Sequence, residues 1–456
     1  MTLAVILLCL VLLLLTGLPI FAGLGLASIA LLLIVDGQIG SLADIVYAKL
    51  NVYLLVAIPM FAFMAHVMIR SKVVDDLYAT AHIMVRHLPG GLGVATVLSC
   101  TVFAAISGSS VATALTIGAT AIPQMTRYGY RPRNIYGVVA AGGTLGILIP
   151  PSGPMILYGI VSETSIGALF FAGLIPGLIL AAIFAAYAMW ASGHGEASTM
   201  QDRATLREVG GAVKRSLAAL SLPPLVLGGL YFGVFTPTEA AAVAAVYAFF
   251  IANFVYKDMG PLKGDGEHRH SLLSRPQSLI TVFVHPDTKR TLFEAGRTTI
   301  MLLFIIANAL ILKHVLTDEQ IPQAIAGAML NAGFGPVMFL VIVNVILLIG
   351  GQFMEPSGLI VIVAPLVFPI AISLGIDPIH LGIVMVVNME IGMITPPVGL
   401  NLFVTSGVAG MPMMRVVRAA LPWLGILFLF LIMVTYIPWL STVIPTALMG
   451  PEIITK

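Results

Sequence analysis

Charge is what this sequence has least of. Only 9% of its 456 residues are Asp, Glu, Lys or Arg, where a soluble globular domain carries roughly a quarter. That shortage excludes a soluble domain. The formal net charge of +2 is too small to point at nucleic acid, and no such partner is expected. Cysteine is almost absent: Cys9 and Cys100 lie in separate apolar runs, which argues against a disulfide or a thiolate metal site. There is no Gly-x-x-x-x-Gly-Lys-Ser/Thr phosphate loop and no His-Glu-x-x-His pair, so neither ATP binding by that route nor zinc hydrolysis is encoded. The opening MTLAVILLCLVLLLLTG lacks the basic stretch of a cleaved signal peptide and reads as a retained membrane segment. Gly17-Leu18-Pro19 allows either a kink in one crossing or a turn between two.

Hydrophobic residues make up 59% of the chain, with 45 glycines and 28 prolines, and the mean hydropathy is +1.05. A crossing helix needs ~20 apolar residues, and the runs here allow roughly ten to twelve segments. Runs this long exclude the alternating strands of an outer-membrane barrel. The expected class is an all-α, multi-pass membrane protein embedded in a lipid bilayer.

Two of these runs are interrupted in the same way. GGTLGILIPPSGPMILY (Gly142–Tyr158) and EIGMITPPVGLNLFV (Glu390–Val404) align with Gly146 on Gly392, Pro150-Pro151 on Pro396-Pro397 and Gly153 on Gly399, an offset of 246 residues (392 minus 146) for the first pair. Proline inside a helix removes a donor and clashes with the preceding turn. Broken backbone at membrane depth is tolerated only inside protein or beside a water-filled cavity. Paired broken helices mark the binding site of a transporter.

The repeat extends further, with Pro123 on Pro369, Gly129 on Gly375, Pro132 on Pro378 and Pro176 on Pro422, while the charges swap sides. Arg127, Arg131 and Arg133 are matched by Ser373, Asp377 and Ile379, and Arg415 and Arg418 follow the second break. By the positive-inside rule the two units are oppositely oriented. The expected organisation has N-terminal membrane segments over 1–51 and a first inverted repeat over 52–178. That repeat holds a re-entrant hairpin at about 90–126 and a broken helix at about 134–158. Connecting helices follow over 179–256, including one crossing at 217–234, then a polar cytoplasmic linker over 257–297. The second repeat, 298–424, holds a hairpin at about 334–372 and a broken helix at about 379–404; a C-terminal helix and tail fill 425–456. Residues 70–87 read as an amphipathic helix lying in the interface. Thr236, Pro237 and Glu239 form a capping box, which gives Glu239 a structural role beside any ion-coupling one. His268 and His270 fall in the linker and read as solvated.

Half-helix C-termini at the breaks offer carbonyl oxygens to a hard cation, and half-helix N-termini offer donors to an anion. Ser107, Ser109, Ser110 and Thr113 add hydroxyls in the first unit, and Thr395 and Asn401 add polar groups in the second; small residues there would also allow close packing. Glu355 and Glu390 are intramembrane carboxylates, costly and therefore functional candidates. Glu355 could orient the second hairpin tip through backbone bonds, coordinate a cation or carry a proton. Ser109 beside glycine leaves an intramembrane hydrolase as a remote alternative.

SGSSVATA (Ser107–Ala114), GGTLGILIPPSGPMILYG (Gly142–Gly159), FTPTEAAAVAAVYA (Phe235–Ala248) and NMEIGMITPPVGLNLFV (Asn388–Val404) resemble the large membrane subunit of tripartite ATP-independent periplasmic (TRAP) transporters, over nearly the whole chain. The resemblance implies an elevator-type importer in the bacterial inner membrane, driven by sodium (Na+) and moving a small organic anion such as a carboxylate. A periplasmic substrate-binding protein would deliver the ligand, and a small four-helix membrane subunit, expected as a separate chain, would brace the large one. It implies a sodium site at Ser107, Ser109, Gly146, Ile149 and Pro151, and another at Gly351, Gly392, Thr395 and Val398. Ser110, Thr113, Ser152, Glu355, Pro396 and Asn401 are the expected substrate contacts. A stand-alone ion-coupled anion transporter, needing no binding protein, is the alternative. The linker from Lys257 to Arg290 is longer than the resemblance leads one to expect.

Overall fold

The computed structural model describes residues 20–35, 42–71, 73–192, 201–263, 272–318 and 320–450. The start of the chain with Cys9, His194, the linker histidines His268 and His270, and the last six residues lie outside them. Every regular element among the described residues is helical, and seven segments are long and apolar enough to cross a membrane.

The chain opens with α1 (Ile20–Val35), α2 (Leu42–Leu50) and, after a 3-10 turn at Tyr53–Val56, α3 (Ala57–Arg70). Next, α4 (Val73–Val85) buries Val73, Val74, Leu77 and Tyr78. The amphipathic face expected to meet lipid is covered instead by protein. The Thr80 hydroxyl lies 2.8 Å from that of Ser216 on α10 (Leu206–Leu220).

α5 (Gly91–Ser107) and α6 (Ser110–Arg127) form the first helical hairpin, turned by Gly108 in the left-handed region at φ 60°. α7 (Pro132–Leu148) and α8 (Gly153–Ser162) are the two halves of the first broken helix, and α9 (Ile166–Ser192) follows. Then comes α10, opened by a capping box between Thr205 and Glu208, and α11 (Leu222–Tyr231). The segment expected to cross at 217–234 is therefore divided at Ser221. Its apolar part, ten residues or ~15 Å of helix, is half a bilayer core: Pro223 and Pro224 start a new helix rather than continue α10. α12 (Pro237–Phe250) has the expected box, with Thr236 Oγ1 accepting from the Glu239 N–H at 3.3 Å and Glu239 Oε2 accepting from the Thr236 N–H at 2.8 Å. It continues through a π turn to Tyr256.

After the short α13 (Ser278–Val284), the same order recurs: α14 (Pro286–Asp318), α15 (Ile321–Asn331), a hairpin of α16 (Pro336–Gly351) and α17 (Pro356–Ser373), a broken helix of α18 (Pro378–Met393) and α19 (Leu400–Ala409), then α20 (Met413–Tyr436) and α21 (Trp439–Met449). α17 and α18 start 246 residues after α6 and α7 (356 minus 110, 378 minus 132). The unit ends drawn at 178 and 424 fall inside α9 and α20, and 257–297 takes in α13 and the start of α14. Polar residues such as Asp287 and Arg290 are good company for a helix end, so a change in polarity does not end the helix there.

The two units are interleaved. α7 packs along α20, and α8 along α17. A methyl group added at Gly137 would stand 2.4 Å from the Trp423 ring nitrogen. Tyr158 on α8 donates to the Pro378 carbonyl at the start of α18, at 2.6 Å. Each break is thus held by elements of the other unit.

Candidate functional site

At the first break α7 ends at Leu148 and α8 begins at Gly153. The Pro150-Pro151 bond is cis, as is Pro396-Pro397. The hairpin tip is pressed onto the break. The Gly153 N–H donates to the Gly108 carbonyl at 3.4 Å, and the Ser110 hydroxyl to the Thr144 carbonyl at 3.2 Å. A Cβ at Gly146 would lie 2.4 Å from the Ser109 carbonyl oxygen, and one at Gly108 would lie 2.6 Å from that of Pro151. Only glycine lets these backbones meet. The Ser109 carbonyl also accepts from Thr113 Oγ1 at 2.8 Å, and Thr113 Oγ1 lies 3.0 Å from Ser107 Oγ. Ser107, Ser109, Gly146 and Pro151 are therefore neighbours, in a patch of hard oxygen donors. Ile149 is different: it caps α7 and packs its side chain against Gly177, so only its main chain faces the break.

The second break repeats the close approach. A Cβ at Gly392 would lie 2.5 Å from the Gly351 carbonyl oxygen, the counterpart of the Gly146–Ser109 meeting. Thr395 donates to the Ile391 carbonyl at 2.6 Å, while Pro396 and Val398 are half-buried and Pro397 is exposed. Glu355 is the N-cap of α17, and its Oε1 accepts from the Ser357 hydroxyl at 2.8 Å. Glu390 is buried with neither carboxylate oxygen bonded within the protein.

A cavity of about 490 Å³ lies between the two hairpin tips. Ser107, Ser109, Ser110, Pro151 and Glu355 line it, together with Ser357. Four expected substrate contacts lie elsewhere, Pro396 at the half-buried second break among them. Thr113 is fully buried in the bonds just described. Ser152 is fully buried; its hydroxyl donates to the Ile147 carbonyl and accepts from the Met155 N–H at 3.5 Å, joining the two half-helices. Asn401 reaches across the unit boundary and donates to the Ala140 carbonyl on α7 at 3.3 Å, leaving its own Oδ1 without a partner.

The opposite wall of the cavity is α3 and α14, which bring His66, Glu294 and Thr298 to it. Sequence reasoning missed all three, since Glu294 and Thr298 straddle a linker boundary. The available signal was spacing: His66 with Arg70, and Glu294 with Thr298, each stand four apart, one helical turn. Among the described residues no group of three or more His, Cys, Asp or Glu could hold a metal ion. The meetings of hairpin and break present main-chain carbonyls instead, joined at the first by the hydroxyls of Ser107 and Thr113.

Two hairpins whose tips meet two broken helices around a cavity, in a chain with seven candidate crossings, define a membrane transporter. Comparison with known proteins makes the class specific. Residues 7–440 match the family model of the tripartite ATP-independent periplasmic transporter, DctM component, and the chain belongs to that family. It is 55% identical over 442 residues to the C4-dicarboxylate TRAP transporter large permease protein DctM of Vibrio cholerae, covering 96% of each chain. It is 49% identical over 418 residues to the protein of the same name from Pseudomonas aeruginosa, covering 92% of each. In fold it is similar to the crystal structure of the YdaH transporter of Alcanivorax borkumensis, with a TM-score of 0.56, 14% identity and 90% of each chain covered. Family membership makes the chain an inner-membrane transport subunit, not an enzyme.

Proposed function

We propose that the chain is the sodium-coupled transport subunit of a TRAP importer for a small organic anion. A periplasmic binding protein delivers the anion, and a small four-helix membrane subunit braces the large one. The observation that carries this reading is the twofold meeting of a hairpin-tip carbonyl with a glycine of a broken helix, Ser109 at Gly146 and Gly351 at Gly392, beside one cavity. The tight approach supports a cation site at each meeting, built on Ser107, Ser109, Gly146 and Pro151 in one case and on Gly351, Gly392, Thr395 and Val398 in the other. Bound sodium would supply positive charge beside the cavity, where the protein's own carbonyls supply none. The Ser109 and Ser110 end of α6 turns N–H groups to the same space, which suits a carboxylate. The C4-dicarboxylate named for the two relatives is the first substrate to test.

In this reading the two units are inverted and the hairpins with their broken helices move as a body past α3 and α14. Lys313 on α14 donates to the Val161 carbonyl at 3.0 Å and to Glu163 Oε1 at 2.8 Å, fastening the turn after α8. Glu294, by the cavity, is 19 residues away along α14 (313 minus 294), ~28 Å of helix. With the basic residues of the loops placed inside, Lys313 lies toward the periplasmic side and the cavity toward the cytoplasmic one.

The test is uptake of labelled succinate into proteoliposomes holding both membrane subunits, with the binding protein outside. Uptake should need an inward sodium gradient. Uptake that ignores sodium overturns the coupling, and uptake that persists without the binding protein supports the stand-alone alternative.

A further inference from the structure

The α3–α14 wall carries a polar cluster separate from the hairpin tips and the breaks. Arg70 Nη2 donates to both carboxylate oxygens of Glu294 at 2.9 Å, and Arg290 Nε donates to Oε1 at 3.2 Å. His66 Nε2 lies 3.1 Å from Thr298 Oγ1, and His66 Nδ1 lies 3.9 Å from Glu294 Oε2. The Thr298 hydroxyl also reaches the Glu294 main-chain carbonyl at 3.2 Å. His66, Glu294 and Thr298 face the cavity among Phe61, Met301 and Leu302.

A lone carboxylate on this wall would repel an anion. Glu294 is not alone: two guanidinium groups against one carboxylate leave one positive charge in excess, counting His66 as neutral (two minus one). Arg70 is held on both oxygens of Glu294, a charge-assisted arrangement with little freedom, while Arg290, 73% exposed, adds a single contact. His66 and Thr298 are not so held. The Thr298 hydroxyl gives its one proton to the Glu294 main-chain carbonyl and stands beside His66 Nε2, so a donor reaches an anion in the cavity by exchanging one of these neutral bonds for a charge-assisted one. The apolar neighbours strengthen the attraction by lowering the local dielectric.

We propose that His66 and Thr298, backed by the Arg70–Glu294–Arg290 cluster, form a subsite for a second carboxylate of the transported acid. The preferred class is then a short dicarboxylate, spanning the cavity from this wall to the hairpin tip at Ser109 and Ser110 in the position seen here and leaving the wall when the hairpins move. The inference rests on the proposed function in taking the cavity as the place where the acid sits.

The experiment is ligand protection of a cavity thiol. Ala62, which lines the cavity, is changed to Cys in a Cys9→Ser, Cys100→Ser background, and both membrane subunits are reconstituted without binding protein. Maleimide labelling is followed against succinate and against succinamate, which lacks one carboxylate. In the parent, succinate should protect at a concentration at least tenfold below succinamate. In His66→Gln and Thr298→Val, both of which keep the Arg70–Glu294 pair, the two should protect within twofold, with succinamate protection unchanged. Thr298→Ser, retaining the hydroxyl, should restore the gap. Equal protection in the parent, no protection by either acid, or a gap that survives in both variants overturns the subsite. Succinate uptake by the complete system, measured in parallel, separates the two proposals: protection without uptake sinks the transport reading alone, and uptake with equal protection sinks the subsite alone.

Discussion

At the first break, residues 149–152 are all buried and the residues on either side, Thr144 and Gly153, are bonded to the hairpin tip, whereas at the second Thr395, Pro396 and Val398 are half-buried and Pro397 is exposed. The backbone event is the same in both. What differs is the closure. Ser152 and Ser110 tie α7, α8 and the first tip together, while the bond of Thr395 stays on its own helix end. Repeated sequence thus produces two equal breaks, and the packing around them leaves one sealed and one open.

The shared feature is tested by Gly146→Ala and Gly392→Ala. Each would force a methyl group to 2.4 or 2.5 Å from a backbone oxygen, and overpacking of that kind costs up to about 3 kcal/mol. Uptake should fall at least tenfold in both; a silent Gly392→Ala would show that the second meeting is not equivalent to the first. The difference is tested next by Thr395→Val. Losing one hydroxyl at the open break, worth ~1 kcal/mol, should raise half-saturating sodium roughly fivefold. An unchanged sodium response in uptake assays would remove Thr395 from the cation site.

The sealed break should respond in stability instead. Ser152→Ala removes the N-cap of α8 and is expected to cost about 1 kcal/mol, seen as a lower melting temperature of the purified protein, with the sodium response unchanged. A shift in sodium dependence would mean that the first break is as open as the second. The smallest effect is expected at Lys313→Met. Its partner Glu163 is 70% exposed at the side chain, and exposed pairs contribute ~0–1 kcal/mol. The melting temperature should barely move, while cytoplasmic labelling of the cavity should change by no more than about twofold.

The features that rest on near neighbours in the chain were legible from residues alone. Hydrophobic runs determined a helical membrane protein. Pro150-Pro151 and Pro396-Pro397 marked where helices must stop, and Thr236 with Glu239 formed the capping box expected of them. The glycines at 146 and 392 could be matched because the repeat places them in register. Each of these depends on sterics and bonding within a few residues, so no knowledge of the fold was required. Legibility ended where contacts join distant segments. His66 and Thr298 are 232 residues apart and meet only because α3 packs on α14. Ser152, Thr113 and Ser110 carry the same kind of hydroxyl and all three are buried and bonded, yet only Ser110 lines the cavity. Sequence determined that there would be two breaks. Tertiary structure decided which was sealed, which oxygens remained free and what stood across the cavity, because burial and hydrogen-bond partners belong to the packed assembly and not to any one stretch of chain.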